Sequence, residues 1–166
     1  MQIKLDDGLL LDKFDIGLLA ALQKNAYATH QAIGEAIHLS ASQVSRRIQR
    51  LQDQGLIKRY VALLEPSRLG LGVRALTYVT LLRHGGEEGR AFEEEVKHID
   101  EVLDCYAVAG EADYVLHIVT TDLSTLSDTV LRRITRIQGV ASIRSNIVLN
   151  TIKTGTALPL THVQEK

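Results

Sequence analysis

The stretch from Leu39 to Lys58, LSASQVSRRIQRLQDQGLIK, constrains the fold of this chain more than any other. Ser40 and Gln43 have the spacing of a capping box, in which each side chain bonds a free backbone N–H at a helix start. Apolar residues at i, i+4 and i+7 lie on one side of a helix; here they are Val44, Ile48 and Leu51. Gly55 suits the left-handed position that follows a last helical turn. The stretch therefore predicts a turn followed by one amphipathic helix.

The opposite arc of this predicted helix has a composition that points to nucleic acid. It carries Ser42, Gln43, Arg46, Gln49 and Arg50, with Arg47 on its flank. Serine, glutamine and arginine can bond phosphates and the edges of bases in a major groove. A solvated helix face is the more common explanation for a charged arc, but such a face usually mixes glutamate with lysine at i, i+4. Three arginines fall within five residues here and no glutamate lies between Ser40 and Lys58, which favours a recognition helix.

Two shorter helices are predicted before it. Asp12 begins the first helix, and the Asp15 carboxylate is favourable near the positive N-terminal end of the helix dipole. This helix stops around Asn25, and Thr29 caps the second helix. Their inward residues are predicted to be Leu18, Leu19 and Leu22, and then Ile33, Ala36 and Ile37. Helix, short turn and basic helix are the helix-turn-helix pattern. The residues before Asp12 are compatible with a short arm or strand.

The residues after the recognition helix predict a wing. Ile57 to Leu64, IKRYVALL, has the composition of a strand or hairpin. Lys58 at its start could touch the DNA backbone, and exposure as an edge charge is nearly as good an explanation. The sequence EPS at 65–67 then breaks the pattern. We therefore predict a winged helix-turn-helix domain over residues 1–64 and a linker over 65–72.

The remaining residues, 73–166, predict one α+β domain. The predicted strands are 74–82, 102–109, 114–121 and 140–149. The predicted helices are 89–99, with Phe92, Val96 and Ile99 inward, and one defined by Leu123, Leu126, Val130, Ile134 and Ile137, with a loop at 84–86. The order β-α-β-β-α-β is the ferredoxin-like arrangement, an antiparallel sheet with both helices on one face. A second subunit is the natural cover for the other face, so we expect at least a homodimer.

The charge distribution supports a local contact with DNA. The net charge of the 166 residues is −1, but residues 40–60 hold five basic residues and one acid.

A single cysteine, Cys105, excludes an internal disulfide and a cysteine-based zinc site, and is expected in the core. No run of 18 apolar residues and no signal peptide are recognisable, so a cytoplasmic protein without membrane contact is expected.

Long ordered segments of the chain resemble the Lrp/AsnC family of transcription regulators. They are LDKFDIGLLAALQKNA, the stretch LSASQVSRRIQRLQDQGLIKRYVALLEPSRLG, CYAVAGEADYVLHIVTTDL and IVLNTIKTGTALPL. The resemblance covers nearly the whole chain. It implies a DNA-binding regulator that responds to a small effector, expected to be an amino acid, and that assembles from homodimers into a tetramer or octamer. One departure is His38, where the family usually has glycine at a left-handed position; histidine tolerates that backbone.

The GEADY loop at 110–114 is the candidate effector site. Gly110 leaves backbone amides open to a carboxylate, and Asp113 could pair with an ammonium group. From the sequence alone, a plain hairpin turn explains these residues better. The resemblance reverses this preference, because related regulators bind amino acids at this loop. It points to Gly110, Asp113 and Tyr114, then to Val108 and Ala109, with Asn146 as a weaker candidate.

The function that we expect is sequence-specific DNA binding by a regulator that is not an enzyme. The sequence shows no catalytic triad, no phosphate loop and no histidine spacing of a metal site, so no cofactor is expected. Two alternatives stay open. One is an amino-acid-binding module without DNA binding. The other is an enzyme similar to sirohaem decarboxylases, which share both domains but tend to replace the arginine face.

Overall fold

The structure is a computed structural model that describes the backbone of residues 2–4 and, with side chains, residues 9–83 and 86–161. The chain divides into two compact units, one made of residues up to Ala62 together with those from Lys153 onward, and one of Leu63–Ile152. The predicted loop residues 84 and 85 and the residues after 161 lie outside the described part. Within the described part, no helix is both long and apolar enough to span a bilayer.

Three helices and a two-stranded ribbon form the first unit. The elements are β1 (Gln2–Lys4), β2 (Leu10–Asp12), α1 (Lys13–Lys24), α2 (His30–Ile37) and α3 (Ala41–Asp53). The predicted caps are all present: Asp12, Thr29 and Ser40 each accept a backbone N–H at the start of their helix. The buried core includes Leu18, Ile33, Val44, Ile48 and Leu51. The capping residues thus set where each helix begins, and the apolar stripes hold α3 against the other two.

The turn between α2 and α3 explains both a success and an error of the sequence analysis. His38 has φ 59° and ψ 46°, the left-handed conformation expected for it. Ala36, however, is exposed, so its prediction as an inward residue is wrong. Gly34 is buried instead, and the carbonyl oxygen of Leu39 lies so close that a Cβ at position 34 would meet it at 2.3 Å. The backbone of the turn packs directly against Gly34 and occupies the space that a side chain at position 34 would need.

The predicted wing strand over Ile57–Leu64 is wrong. This segment has no strand in the structure, and Val61, Leu63 and Leu64 are more than half exposed. A strand needs a neighbour for its backbone groups, and composition alone does not reveal whether a neighbour exists. No described strand of this chain pairs with it. The predicted linker contains a short 3-10 turn, Pro66–Leu69.

The second unit has the predicted ferredoxin-like order. Its elements are β3 (Val73–Leu81), α4 (Gly86–Val96), β4 (Val102–Ala107), β5 (Tyr114–Thr120), a π-helical segment (Thr125–Leu131) that continues as α5 (Arg132–Thr135), and β6 (Val140–Ile147). The antiparallel sheet has the order β4-β5-β3-β6. Phe92, Val96, Leu126, Val130 and Ile134 from the helical layer pack on alternate residues of β3 and β5.

Two residues predicted to be buried in this unit are exposed. Leu123 is 58% exposed although it lies in the first helical turn, directly after Asp122, whose carboxylate accepts the N–H of Thr125 at 2.7 Å. Cys105 is exposed because β4 is an edge strand of the sheet. Partial burial still raises the pKa of its thiol, with a further contribution from the Glu93 carboxylate.

The C-terminal segment is grouped with the first unit, whereas the sequence predicts one domain over 73–166. The side chain of Gln23 on α1 accepts the N–H of Leu158 at 2.6 Å and donates to its carbonyl at 3.2 Å. Leu160 packs against the core of the helical unit. The described residues from Lys153 to 161 therefore complete the helical unit after the sheet has ended.

Candidate nucleic-acid interface and ligand loop

Helix α3 presents the predicted polar arc on its outer side. Ser42, Gln43, Arg46 and Gln49 are exposed, and Arg47 and Arg50 are partly exposed. A shallow basic groove is lined by Gln43, Arg46, Arg47 and Arg50. Lys58 is exposed, five residues beyond the last residue of α3, and is not among the residues that line this groove.

The two glutamines of the arc are oriented by local hydrogen bonds. The Oε1 atom of Gln43 accepts the backbone N–H of Ser40 at 2.9 Å, which completes the capping box. The Nε2 group of Gln49 donates to Asp53 at 2.8 Å. Arg46 Nε lies 3.4 Å from the carbonyl oxygen of Ser42, one turn earlier. These contacts hold the polar groups along the outer side of the helix.

Two of the three arginines are paired with acids at the start of the first helix, the cap residue Asp12 and Asp15. Arg47 contacts Asp12 through Nη1–Oδ1 at 3.0 Å and Nη2–Oδ2 at 2.9 Å, and its Nη1 lies 2.7 Å from Asp15 Oδ1. Arg50 Nη2 lies 2.6 Å from the same Asp15 oxygen. The Asp15 side chain is buried, and the Phe14 ring lies 5.6 Å from the Arg47 guanidinium. We call these four charged residues the Asp–Arg cluster.

The geometry of the Asp–Arg cluster favours the charged forms of Asp12 and Arg47. Burial opposes the charge of Asp12, but the N–H of Asp15 and the guanidinium of Arg47 together hold the pKa of Asp12 below its usual value. Burial likewise opposes the charge of Arg47, and its bonds to Asp15 and Asp12 outweigh this and raise its pKa. From the sequence, Asp12 and Asp15 are predicted only to lie at a helix start. Nothing in their spacing reveals the partners, because the pairing depends on how α1 packs against α3.

The candidate ligand loop connects β4 to β5. Val108, Ala109 and Gly110 are all exposed. Gly110 has φ +153° and no atom within 4 Å of the position where a Cβ would stand. The backbone at Gly110 is therefore open to solvent, as a site for a small anion requires.

Asp113 and Tyr114 both have partners inside the fold. Asp113 Oδ2 accepts the N–H of Leu81 at 2.7 Å. Tyr114 is buried on the helix side of the sheet, and its hydroxyl donates to Glu93 at 2.8 Å. Burial, with the Glu93 carboxylate second, raises the pKa of Tyr114 to about 12. The side chain of Tyr114 thus faces the core, away from the open backbone of Gly110.

The side chains of Asn146 and Tyr114 do not lie at the same site. Asn146 of β6 pairs with Leu76 of β3, and Tyr114 of β5 pairs with Val79 of β3, three residues further along that strand. An odd separation puts the two side chains on opposite faces of the sheet, about 10 Å apart along the strand. Asn146 is exposed on the face that the helices leave open.

An ion pair beside the loop was not anticipated from the sequence. Arg144 on β6 lies 3.6 Å from Glu111 of the loop, and its guanidinium lies 5.5 Å from the ring centre of Tyr78. Arg144 precedes Asn146 by two residues, so both lie on the open face. The alternation along β6 indicates their common face, but the approach to Glu111 depends on the sheet order.

The chain combines a helix-turn-helix unit, whose outer arc is basic, with a ferredoxin-like unit that carries an exposed loop. These features are those of a two-domain DNA-binding protein. Comparison with known families agrees. Residues 11–58 match the family described as winged helix-turn-helix DNA-binding, and residues 74–158 match the Lrp/AsnC ligand binding domain. The chain belongs to the Lrp/AsnC family of DNA-binding transcriptional regulators.

Individual relatives match over nearly their whole length. The DNA-binding transcriptional activator DecR of Escherichia coli is 32% identical over 91% of this chain and 99% of its own. A transcriptional regulator from Neisseria meningitidis, solved in complex with L-Met, is 37% identical with a TM-score of 0.83 and covers 92% of this chain and 98% of its own. The feast or famine regulatory protein from M. tuberculosis, complexed with L-methionine, is 32% identical with a TM-score of 0.82, over 89% and 98% of the two chains.

Proposed function

We propose that this regulator reads DNA through the outer arc of α3 and that an amino acid bound at the second unit changes this binding. The observation that carries the first part is the groove of Gln43, Arg46, Arg47 and Arg50 on a helix held in helix-turn-helix geometry. Arginine and lysine suit phosphates and guanine, whereas serine and glutamine suit base edges. The contacts that we assign are Ser42, Gln43, Arg46, Arg47, Gln49, Arg50 and Lys58.

We propose an amino acid as the effector because two relatives were solved with methionine. A zwitterion needs donors for its carboxylate and an acceptor for its ammonium group. The exposed backbone at Ala109 and Gly110 and the guanidinium of Arg144 supply donors, and Glu111 and Asp113 supply carboxylates. We place the effector at this loop, with Val108, Tyr114 and Asn146 as the remaining candidates.

We further propose a homodimer in the cytoplasm that assembles into a tetramer or octamer. The open face of the sheet carries Leu76 and Tyr106, which are 37% and 56% exposed. Burying such side chains against a second copy is favourable by about 25 cal/mol per Å² of apolar surface. A dimer would also present two recognition helices to two half-sites on DNA.

A gel shift tests the proposal directly. We would use DNA upstream of the protein's own gene, at about 50 and 200 mM salt, with and without each amino acid. A shift that weakens steeply with salt and responds to one amino acid is the expected result. A shift that no amino acid alters would contradict the effector assignment. No shift at either salt would contradict DNA binding and favour a ligand-binding or enzymatic role.

A further inference from the structure

The Asp–Arg cluster is electrically balanced. Two carboxylates, Asp12 and Asp15, face two guanidinium groups, Arg47 and Arg50, at 2.6–3.0 Å. Arg47 engages both oxygens of Asp12 with two parallel contacts. A guanidinium uses the same paired geometry for a phosphate. Asp12 therefore occupies the atoms that Arg47 would offer to the DNA backbone.

The net positive charge of the outer arc of α3 is consequently smaller than the sequence implies. The count of positive charge between residues 40 and 60 leaves out the carboxylates of Asp12, which caps α1, and of Asp15 in its first turn. Among the described residues, Arg46 is the arginine of α3 that has no carboxylate within ion-pair distance. Arg47 is engaged through both terminal nitrogens and reaches DNA only if these contacts are loosened or shared, whereas Arg50 contacts Asp15 through Nη2 and its side chain is 42% exposed.

We propose that Asp12 is a specificity-determining residue that competes with DNA phosphate for Arg47. Non-specific binding depends almost wholly on phosphate neutralisation, so withholding one guanidinium lowers it directly. A target sequence adds base contacts that offset the loss of the internal pair. This inference rests on the proposed use of α3 to contact DNA.

Asp12 is better placed for this role than Asp15. The Asp12 side chain is 26% exposed, at the outer edge of the cluster, whereas that of Asp15 is 1% exposed and contacts both arginines. Asp15 thus anchors the cluster from inside. Asp12 can yield Arg47 to an incoming phosphate while Asp15 still holds the guanidinium from below.

The variant Asp12→Asn removes the charge and keeps the helix cap, because asparagine caps as well as aspartate. The experiment measures affinity for a non-target duplex and for the target across a salt series. We expect non-target binding to strengthen severalfold at low salt, and its logarithmic salt slope to steepen by about 0.9, the value for one more phosphate contact. The ratio of target to non-target affinity should fall.

Glu35→Gln is the matched control. Glu35 is an exposed acid on α2 that accepts a bond from Gln31 at 3.1 Å, and its substitution removes the same charge without touching an arginine. We expect the slope of this control to match the wild type. Asp12→Ser, which also retains a cap, should repeat the result of Asp12→Asn and replaces it if Asp12→Asn folds poorly.

The outcomes separate this inference from the proposed function. Equal changes in Asp12→Asn and Glu35→Gln would show an effect of net charge and overturn the inference. Unchanged or weaker non-target binding by Asp12→Asn would also overturn it, because Asp12 would then position Arg47 for DNA. A wild-type protein that binds no DNA at any salt would overturn the proposed function itself, and this inference with it.

Discussion

At the scale of single residues, neighbouring arginines of α3 have different energetic roles. Arg47 compensates the charges of Asp12 and Asp15, and the Asp15 side chain is buried. Removing one partner of a buried pair commonly costs about 3–5 kcal/mol. We expect Arg47→Ala to lower the free energy of unfolding by about 3 kcal/mol, the lower end, because Arg50 stays beside Asp15. Urea unfolding followed by circular dichroism measures this change.

Arg46→Ala is the control for that measurement. The Arg46 side chain is exposed, and its Nε atom donates a long hydrogen bond to the Ser42 carbonyl oxygen at 3.4 Å. We expect its stability to stay within about 0.5 kcal/mol of the wild type, while its DNA affinity falls. Equal losses of stability in both variants would contradict the division of roles.

Asp113 also has a structural contact that must be separated from effector binding. Its carboxylate accepts the N–H of Leu81 at the end of β3. Asp113→Ala should cost about 1–2 kcal/mol by removing this acceptor, whereas Asp113→Asn keeps an acceptor oxygen and loses the charge. We expect both variants to lose the amino-acid response in the gel shift. A normal response in Asp113→Asn would show that the carboxylate serves the fold alone.

At the scale of elements, the C-terminal segment is part of the helical unit. Leu160 contributes apolar contact to its core, and Gln23 bonds both backbone groups of Leu158. A chain shortened to end at Ala157 should lose about 1–2 kcal/mol of stability, since Leu160 is only partly buried. Gln23→Ala should lose less than about 1 kcal/mol, because its bonds are exposed. An unchanged urea midpoint in the shortened chain would contradict this role.

At the scale of the whole molecule, the open sheet face decides the assembly that we propose. Leu76→Lys places a charge at the centre of that face, which a dimer interface would have to bury at high cost. We expect the variant to be monomeric in size-exclusion chromatography with light scattering. Leu123→Lys is the control, because Leu123 is the more exposed of the two, at 58% against 37%, and precedes the helical segment on the other layer. Dissociation of both variants, or of neither, would contradict the assignment of the interface.

The sequence by itself determined the helix-turn-helix, its caps and the ferredoxin-like order. These depend on local rules: capping residues such as Ser40, a left-handed turn at His38, and apolar periods of 3.6 and 2 residues. The recognition arc followed from the same periodicity. Each of these features is fixed by residues within a few positions of one another.

Only the tertiary structure decided which partners these residues meet. The pairing of Arg47 with Asp12 spans 35 positions and that of Gln23 with Leu158 spans 135, and no local pattern encodes either. The absence of a strand over the described residues 57–64, and the exposure of Cys105 on an edge strand, likewise depend on which neighbours are present. Long-range pairing is set by how whole elements pack, because a backbone group or charge is satisfied by whatever the fold brings within about 3 Å.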